Sequence, residues 1–342
     1  MSIKFLILSV TEDCNLRCRY CYARAGESRK VMDWELAKKA LDLAAVSGEP
    51  FKVQLSGGEP LLKFPLIEQM LEYSSESKIP AYFQMQTNAT LITPELAQKI
   101  KKLGLALGIS LDGRVEINDQ TRPLPAEGSS TLALVKGLQY LKEAKVGVGL
   151  TCVISQDNVE SLDQVVEMAY YLGNVYNIGF DLLRLKGRGE NLAVPTPNQV
   201  QKGVKKALAK AEALAALTGR VITFKQGEHV KWRRAKGENQ GFGHCYAITG
   251  ESLFVDPQGE LYPCGSLAGL AEFYLGNLLK DSPEERKKQV SAYCREWMAP
   301  CTGCQDFALC GGGCFARFYL ASAHPHLPEC TLKRTFIKQL AD

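Results

Sequence analysis

No stretch of about 20 apolar residues occurs in the 342-residue chain, so nothing in it reads as a membrane-spanning helix. A surplus of charge is missing as well: 41 Lys and Arg stand against 37 Asp and Glu, a net +4. With a pI near 8.4, that balance falls short of the strongly basic surface of a dedicated nucleic-acid binder, whose pI exceeds about 9. The opening run MSIKFLILSV holds one Lys and is followed by Glu12, Asp13 and Cys14, with no small-residue cleavage site. It therefore reads as a strand and not as an export signal. Internal repeats and low-complexity tracts are also missing. What remains is 46% apolar and 23% charged, the composition of a globular protein long enough for one barrel-sized domain and a second unit. Cysteine is the residue in excess. Twelve thiols without an export signal argue for metal ligation in a reducing cytoplasm, and against a disulfide framework.

Residues 1–235 alternate apolar strands with amphipathic helices, the pattern of an α/β domain with a parallel sheet. Strands are expected at 3–10, 51–55, 81–86, 106–110, 147–154 and 175–183. Asp33 reads as the cap of one helix, with Leu36, Ala37, Ala40, Leu41 and Ala44 facing inward. Thr93-Pro94-Glu95 starts another, with Leu96, Ile100 and Leu103 on one face and Gly104 as its stop. Asn158 reads as the cap of a third that buries Leu162, Val165, Val166 and Ala169, and a further helix is expected over 199–217. Six strand–helix pairs fit either an incomplete eight-fold barrel or a doubly wound sheet, and periodicity alone does not separate them. The polar, Gly-rich segment 236–243 reads as a linker. Beyond it eight of the twelve cysteines follow, and Asp256-Pro257-Gln258-Gly259 reads as a hairpin turn. The domain division expected is therefore 1–235 and 236–342.

Cys14, Cys18 and Cys21 are spaced C-x3-C-x2-C directly after the first strand. Three close thiolates without a fourth suit a [4Fe–4S] cluster with one iron free of protein ligands. Zinc, the alternative, prefers four closed ligands or a mixed set that includes His or carboxylate. Ser56-Gly57-Gly58-Glu59-Pro60 follows the second strand, Gln86-Thr87-Asn88 the third, and Ser110-Leu111-Asp112-Gly113 the fourth.

With these residues the chain resembles the radical S-adenosylmethionine (SAM) superfamily, in which an aromatic residue, here Tyr20, precedes the last cysteine of the loop. The resemblance implies a cofactor site in which Gly57, Gly58 and Glu59 receive the SAM amino group, with Asn88 beside them. It further implies that Ser110 and Arg122 contact the SAM carboxylate. These loops fall at the carboxyl ends of the strands, where barrel enzymes build their sites, which favours the barrel over the open sheet. The chemistry implied is one-electron cleavage of SAM to methionine and a 5′-deoxyadenosyl radical that abstracts hydrogen from an unactivated C–H bond. No protein general base is assigned to it.

The tail reads Cys245-x13-Gly259-x4-Cys264, then Cys301-x2-Cys304-x5-Cys310-x3-Cys314, then Cys330. This resembles the seven-cysteine pattern of the SPASM domain, which carries two auxiliary iron–sulfur clusters. The fold implied is a partial (β/α)6 TIM-like barrel followed by a small Cys-rich SPASM domain. By that resemblance Cys301, Cys304, Cys310 and Cys330 hold the distal cluster, while Cys245, Cys264 and Cys314 hold the proximal one. The proximal cluster is then one ligand short, to be filled by a group such as Glu251, by Cys294 or by a substrate atom. Cys152, on the fifth strand, reads as a core residue.

Relatives of this type mostly modify peptides. The expected function is oxidative maturation of a peptide or protein residue, with a thioether or carbon–carbon crosslink favoured. The alternatives are a sulfatase-maturing enzyme that makes formylglycine and a small-molecule dehydrogenase. Against the first stands Gly265, where that branch has an Asp after the counterpart of Cys264. A flavodoxin or ferredoxin is the expected electron donor, the cytoplasm the expected location, and neither nucleic acid nor membrane an expected partner. With the first strand beginning at residue 3, no amino-terminal leader-binding domain is expected, so a leader peptide would dock on the barrel, the tail or a separate protein.

Overall fold

The computed structural model describes residues 2–237 and 241–339; part of the segment read as a linker, 238–240, lies outside the described residues. Ten strands form one sheet: β1 (Phe5–Thr11), β2 (Phe51–Gly57), β3 (Ala81–Thr87), β4 (Ala106–Ser110), β5 (Val148–Ile154), β6 (Val175–Leu182), β7 (Thr223–Phe224), β8 (Ser252–Val255), β9 (Glu260–Tyr262) and β10 (Gly276–Asn277). β1 to β6 pair in parallel with the next strand in chain order. The sheet order is β10-β9-β8-β1-β2-β3-β4-β5-β6-β7. A doubly wound sheet reverses its direction of growth after the first strands. From β1 to β7 this sheet grows in one direction only, and it is a partial barrel of six main strands wrapped by helices.

Alternation along the strands separates wall from lumen. In β2, Phe51, Val53 and Leu55 are buried beneath the helices, whereas Gln54 and Ser56 line an internal cavity. The helices start where their caps place them. Asp33 accepts from Leu36 N at 2.8 Å and opens Trp34–Ala45, whose five buried residues are those expected. Thr93 caps Pro94–Leu103, where Ile100 and Ala97 are buried and Leu96 and Leu103 pack half-buried against the core. Asn158 stands at the N-cap position but makes no side-chain cap bond. A short 3₁₀ turn, Val159–Ser161, follows it, and its amide instead donates to Asp112 O (3.1 Å) and Val153 O (2.8 Å) beneath the loops. The helix Pro197–Thr218 starts from a Thr196/Gln199 capping box.

The carboxy-terminal third continues the same sheet. β8 pairs with β1 in parallel, from Phe5 opposite Ser252 to Leu8 opposite Val255. Asp256 Oδ1 accepts from Gln258 N and Glu260 N, both at 2.8 Å, and turns the chain back into β9. The sheet therefore runs across the division at 235/236, and one apolar core holds residues from both sides of it.

Candidate functional site

The loop after β1 carries Cys14, Cys18 and Cys21 to the carboxyl end of the barrel. There they border a cavity of about 270 Å³ together with Tyr20, Gly57, Gly58, Glu59, Asn88, Ser110 and Arg122. The structure thus collects all ten residues singled out for the amino-terminal site around one space. Gly57 has φ 127°, and a Cβ there would overlap the Thr11 carbonyl. A Cβ on Gly58 would lie 2.5 Å from the Asp13 carbonyl carbon. The absence of side chains lets Gly58 N donate to Thr11 O (2.7 Å) and Glu59 N to Asp13 O (2.8 Å), which locks the β2 turn onto the cysteine loop.

Glu59 is buried. Its carboxylate accepts from Thr87 Oγ1 (2.6 Å), Asn88 N (2.8 Å) and Leu61 N (3.1 Å). It thereby braces the loops after β2 and β3, and burial raises its pKa against these donors. Arg122, also buried, donates to Tyr20 Oη and lies 3.8 Å from Asp112 Oδ2. Tyr20 in turn donates to Asp112, which also accepts from Val153 N at 2.9 Å. The guanidinium is therefore held at the cavity wall by a wholly protein-internal network. Ser110 Oγ accepts from Gln86 Nε2 at 2.9 Å, and Asn88 Nδ2 donates to Asn15 Oδ1 at 2.9 Å.

The seven cysteines of the tail pattern divide between two further cavities. Cys245, Cys264 and Cys314 border one of about 370 Å³. Cys301, Cys304, Cys310 and Cys330 border another of about 960 Å³. In the latter, Arg334 Nη2 donates to Cys304 Sγ (3.4 Å), and His324 Nε2 lies 3.6 Å from Cys301 Sγ. Glu251 stands apart from the trio, with its carboxylate paired to Lys4 and accepting from Thr249 Oγ1 at 2.8 Å. Cys294 is fully buried in the helix Glu284–Trp297 and borders none of the three cavities. Cys152 is buried in the core.

Several residues of the site carried no signal in spacing. Arg188 Nε donates to Cys18 O (2.9 Å) and Arg188 N to Cys21 O (3.0 Å), so the turn after β6 clamps the cysteine loop. Gly187 and Gly189, flanking that arginine at a strand end, are the feature that could have marked it. Tyr22, Ser56, Gln86 and Arg184 border both the amino-terminal cavity and that of Cys245, Cys264 and Cys314. These two spaces are therefore neighbouring chambers of one lumen. Asp181 holds Arg184 (2.6 Å) and Arg317, and Arg317 also pairs with buried Glu329. That network ties the end of β6 to the cysteine-rich tail.

The donor sets fit iron–sulfur clusters. Burial pushes Cys14, Cys314 and Cys330 up to about 12, and Cys264 and Cys301 up to about 11. Thiolates grouped in such sites need cationic metal among them. Among the described residues, no three His, Cys, Asp or Glu side chains converge on one point that would hold a single ion. A cluster takes each cysteine on a different iron and requires only that the thiols surround a common space. Arg122, Arg184 and Arg188 border the amino-terminal cavity and supply positive charge to an anionic cofactor.

Comparison with known proteins agrees with this geometry. The family model described as the radical SAM superfamily matches residues 8–169. An uncharacterized protein of Methanocaldococcus jannaschii is 35% identical over 300 residues, which cover 86% of this chain and 96% of the relative. An AdoMet-dependent heme synthase of Methanosarcina barkeri is 28% identical over 342 residues, 93% of each chain. Among solved structures, native anSMEcpe with bound AdoMet and the Cp18Cys peptide superposes with a TM-score of 0.81 at 20% identity, covering 99% of this chain and 96% of that one.

Proposed function

The chain belongs to the radical SAM superfamily, and from that premise we propose that it oxidises a residue of a peptide or protein substrate held in the barrel lumen. One observation carries the reading. The chamber of Cys14, Cys18 and Cys21 adjoins that of Cys245, Cys264 and Cys314 at the shared wall of Tyr22, Ser56, Gln86 and Arg184. A substrate at this junction has the hydrogen-abstracting end on one side and a three-cysteine site on the other. When bound, a [4Fe–4S] cluster with SAM supplies one-electron cleavage and hydrogen abstraction.

The chain's own residues do the rest. Cys14, Cys18 and Cys21 would hold the cluster, and Gly57, Gly58 and Glu59 would receive the SAM amino group. Arg122, oriented by Tyr20 and Asp112, would face the SAM carboxylate. The proximal trio lacks a fourth thiol at its cavity wall, and a substrate thiolate is the soft ligand suited to such iron. This supports thioether formation as the finer assignment.

Formylglycine generation finds less support. The position after Cys264 is Gly265, packed against the Phe254 ring, so no acidic side chain stands there. A second reading, chemistry on an iron tetrapyrrole, is favoured by the end-to-end likeness to the heme synthase. The test is anaerobic reconstitution, reduction with dithionite, and mass analysis of candidate peptides and of iron coproporphyrin III. A peptide lighter by about two hydrogens, with 5′-deoxyadenosine released, supports the proposal. Turnover of the porphyrin alone selects the second reading, and no 5′-deoxyadenosine under any condition refutes both.

A further inference from the structure

A chamber of about 350 Å³ lies between the amino-terminal site and the distal cysteine cavity. Thr151 and Asp181 form the wall it shares with the former, and Cys310, Lys333 and Ile337 the wall it shares with the latter. Two ammonium groups border it. Lys225 follows β7 directly and crosses beside β6, where the missing side chain of Gly179 makes room: a Cβ there would sit 2.8 Å from Lys225 Cδ. Lys333, on the helix Leu327–Gln339, is only 7% exposed. Neither ammonium makes a hydrogen bond or ion pair with another described residue.

The neighbouring acids are already committed. Asp181 is held by Arg184 (2.6 Å) and Arg317. Glu329, one turn before Lys333, is held by Arg317 and by Cys314 N at 3.4 Å. His229 turns Nε2 toward Cys310 O at 3.2 Å, and its ring meets that of His244 with centroids 5.5 Å apart. Neither imidazole supplies negative charge. Lys225 is exposed over its surface as a whole and Lys333 lies beside Glu329 and the distal cysteines, yet the chamber wall itself offers two positive charges and no unpaired carboxylate, a lining complementary to an anion.

We propose that this chamber is a carboxylate site, held by Lys225 and Lys333, and that the substrate reaches the reaction centre with an acidic group anchored there. An anchored carboxylate would place the carbon chain that bears it against Thr151 and Asp181, the wall shared with the cavity of Cys14, Cys18 and Cys21. The inference rests on the lumen being the substrate site. The carboxylate can be an acidic side chain, a peptide carboxy terminus or a porphyrin propionate.

The test is calorimetric titration of the anaerobically reconstituted holoenzyme with SAM present. The probes are acetyl-Gly-Glu-Gly-amide, acetyl-Gly-Gln-Gly-amide, acetyl-Gly-Gln-Gly with a free carboxy terminus, and coproporphyrin III against its tetramethyl ester. At least one carboxylate probe is expected to bind about tenfold more tightly than its neutral counterpart, and Lys225→Met and Lys333→Met each to reduce that preference to about twofold or less. The probe that shows the preference names the source. Equal affinities within each pair, or a preference that survives Lys225→Met, overturn the proposal. Because Lys333 also borders the distal cavity, iron is counted in both variants, and Lys225→Met decides if Lys333→Met loses metal. Absence of 5′-deoxyadenosine alongside an intact carboxylate preference would defeat the functional reading and leave this site standing.

Discussion

Replacing Gly58 by alanine tests the link between backbone packing and cofactor assembly. The new methyl carbon would lie 2.5 Å from the Asp13 carbonyl carbon and 2.9 Å from Glu12 O, where 3.4–4 Å is an ordinary contact. Both obstacles are backbone, so relief requires the cysteine loop and the β2 turn to part by about 1 Å. That movement strains two hydrogen bonds, Gly58 N to Thr11 O and Glu59 N to Asp13 O. Overpacking of this kind costs about 2–3 kcal/mol, a fall of several degrees in melting temperature. The functional loss is larger, because a shift of about 1 Å in a positioned reacting group costs about a hundredfold in rate. Cys14 begins one residue beyond the displaced carbonyl, whereas the cysteines of the other two cavities lie on segments beyond residue 244. We therefore expect Gly58→Ala to lose about four irons per chain, one cluster's worth, and to keep those of the tail. Gly219→Ala is the control: φ is 69° there but the space is open, so about 1 kcal/mol is lost and no iron. Iron and sulfide counts with melting curves read both. Full iron in Gly58→Ala, with 5′-deoxyadenosine release within about twofold of wild type, would refute the reasoning.

Glu59→Gln is nearly isosteric but turns an amide NH₂ toward donors that now meet carboxylate oxygens. A loss of about 1–3 kcal/mol in urea unfolding and weaker SAM binding are expected; unchanged stability would show that the brace is dispensable. Asp119 accepts from Ser130 Oγ, Thr131 N and Thr131 Oγ1 at the start of the helix Ser130–Glu143. Burial, which would raise its carboxyl, is outweighed by these donors, and its pKa lies below the ordinary value. Its contribution is thus fully present above the unfolded pKa of about 3.9 and lost as pH falls toward the lowered folded value. Asp119→Asn should cost about 1 kcal/mol at pH 7, and the gap to wild type should shrink only in acid below about pH 4.5; a gap that closes near neutrality contradicts the assignment. Cys152→Ala should keep all iron and lose about 1 kcal/mol to a small cavity, whereas Cys18→Ala should abolish SAM cleavage; iron loss in the first or turnover in the second would reverse the two roles.

Local chemistry made much of this molecule readable. Asp33 and Thr93 act as caps because a short acceptor beside the first free N–H groups is sufficient reason for a helix to start there. Asn158 has the same credentials and does something else. Its amide bonds Asp112 O and Val153 O and its oxygen accepts from Ser155 N, a long-range demand that local spacing does not contain. Arg184, Asp181, Arg317 and Glu329 are in the same position: Arg317 Nε reaches Leu182 O across 135 residues of chain. Single charges give no periodic signal, so a network of them becomes visible only once the fold brings β6 and the tail together.

The cysteines show the opposite behaviour, and topology explains why their pattern is informative. Cys245 stands before β8 and Cys264 just after β9. Because β8 zips onto β1 in parallel, the end of that hairpin is carried to the barrel lumen, where Cys314 joins it at the start of the helix Phe315–Leu320. Cys301, Cys304 and Cys310 lie on the short turns beyond the helix Glu284–Trp297, and the helix Leu327–Gln339 returns Cys330 to them. The interleaving of the two sets at Cys310, Cys314 and Cys330 therefore follows from one strand pairing and one returning helix. Chain order alone would have placed Cys310 and Cys314 in the same site. Resemblance to a known seven-cysteine pattern divided them, and the register of β8 on β1 supplies the physical reason for that division.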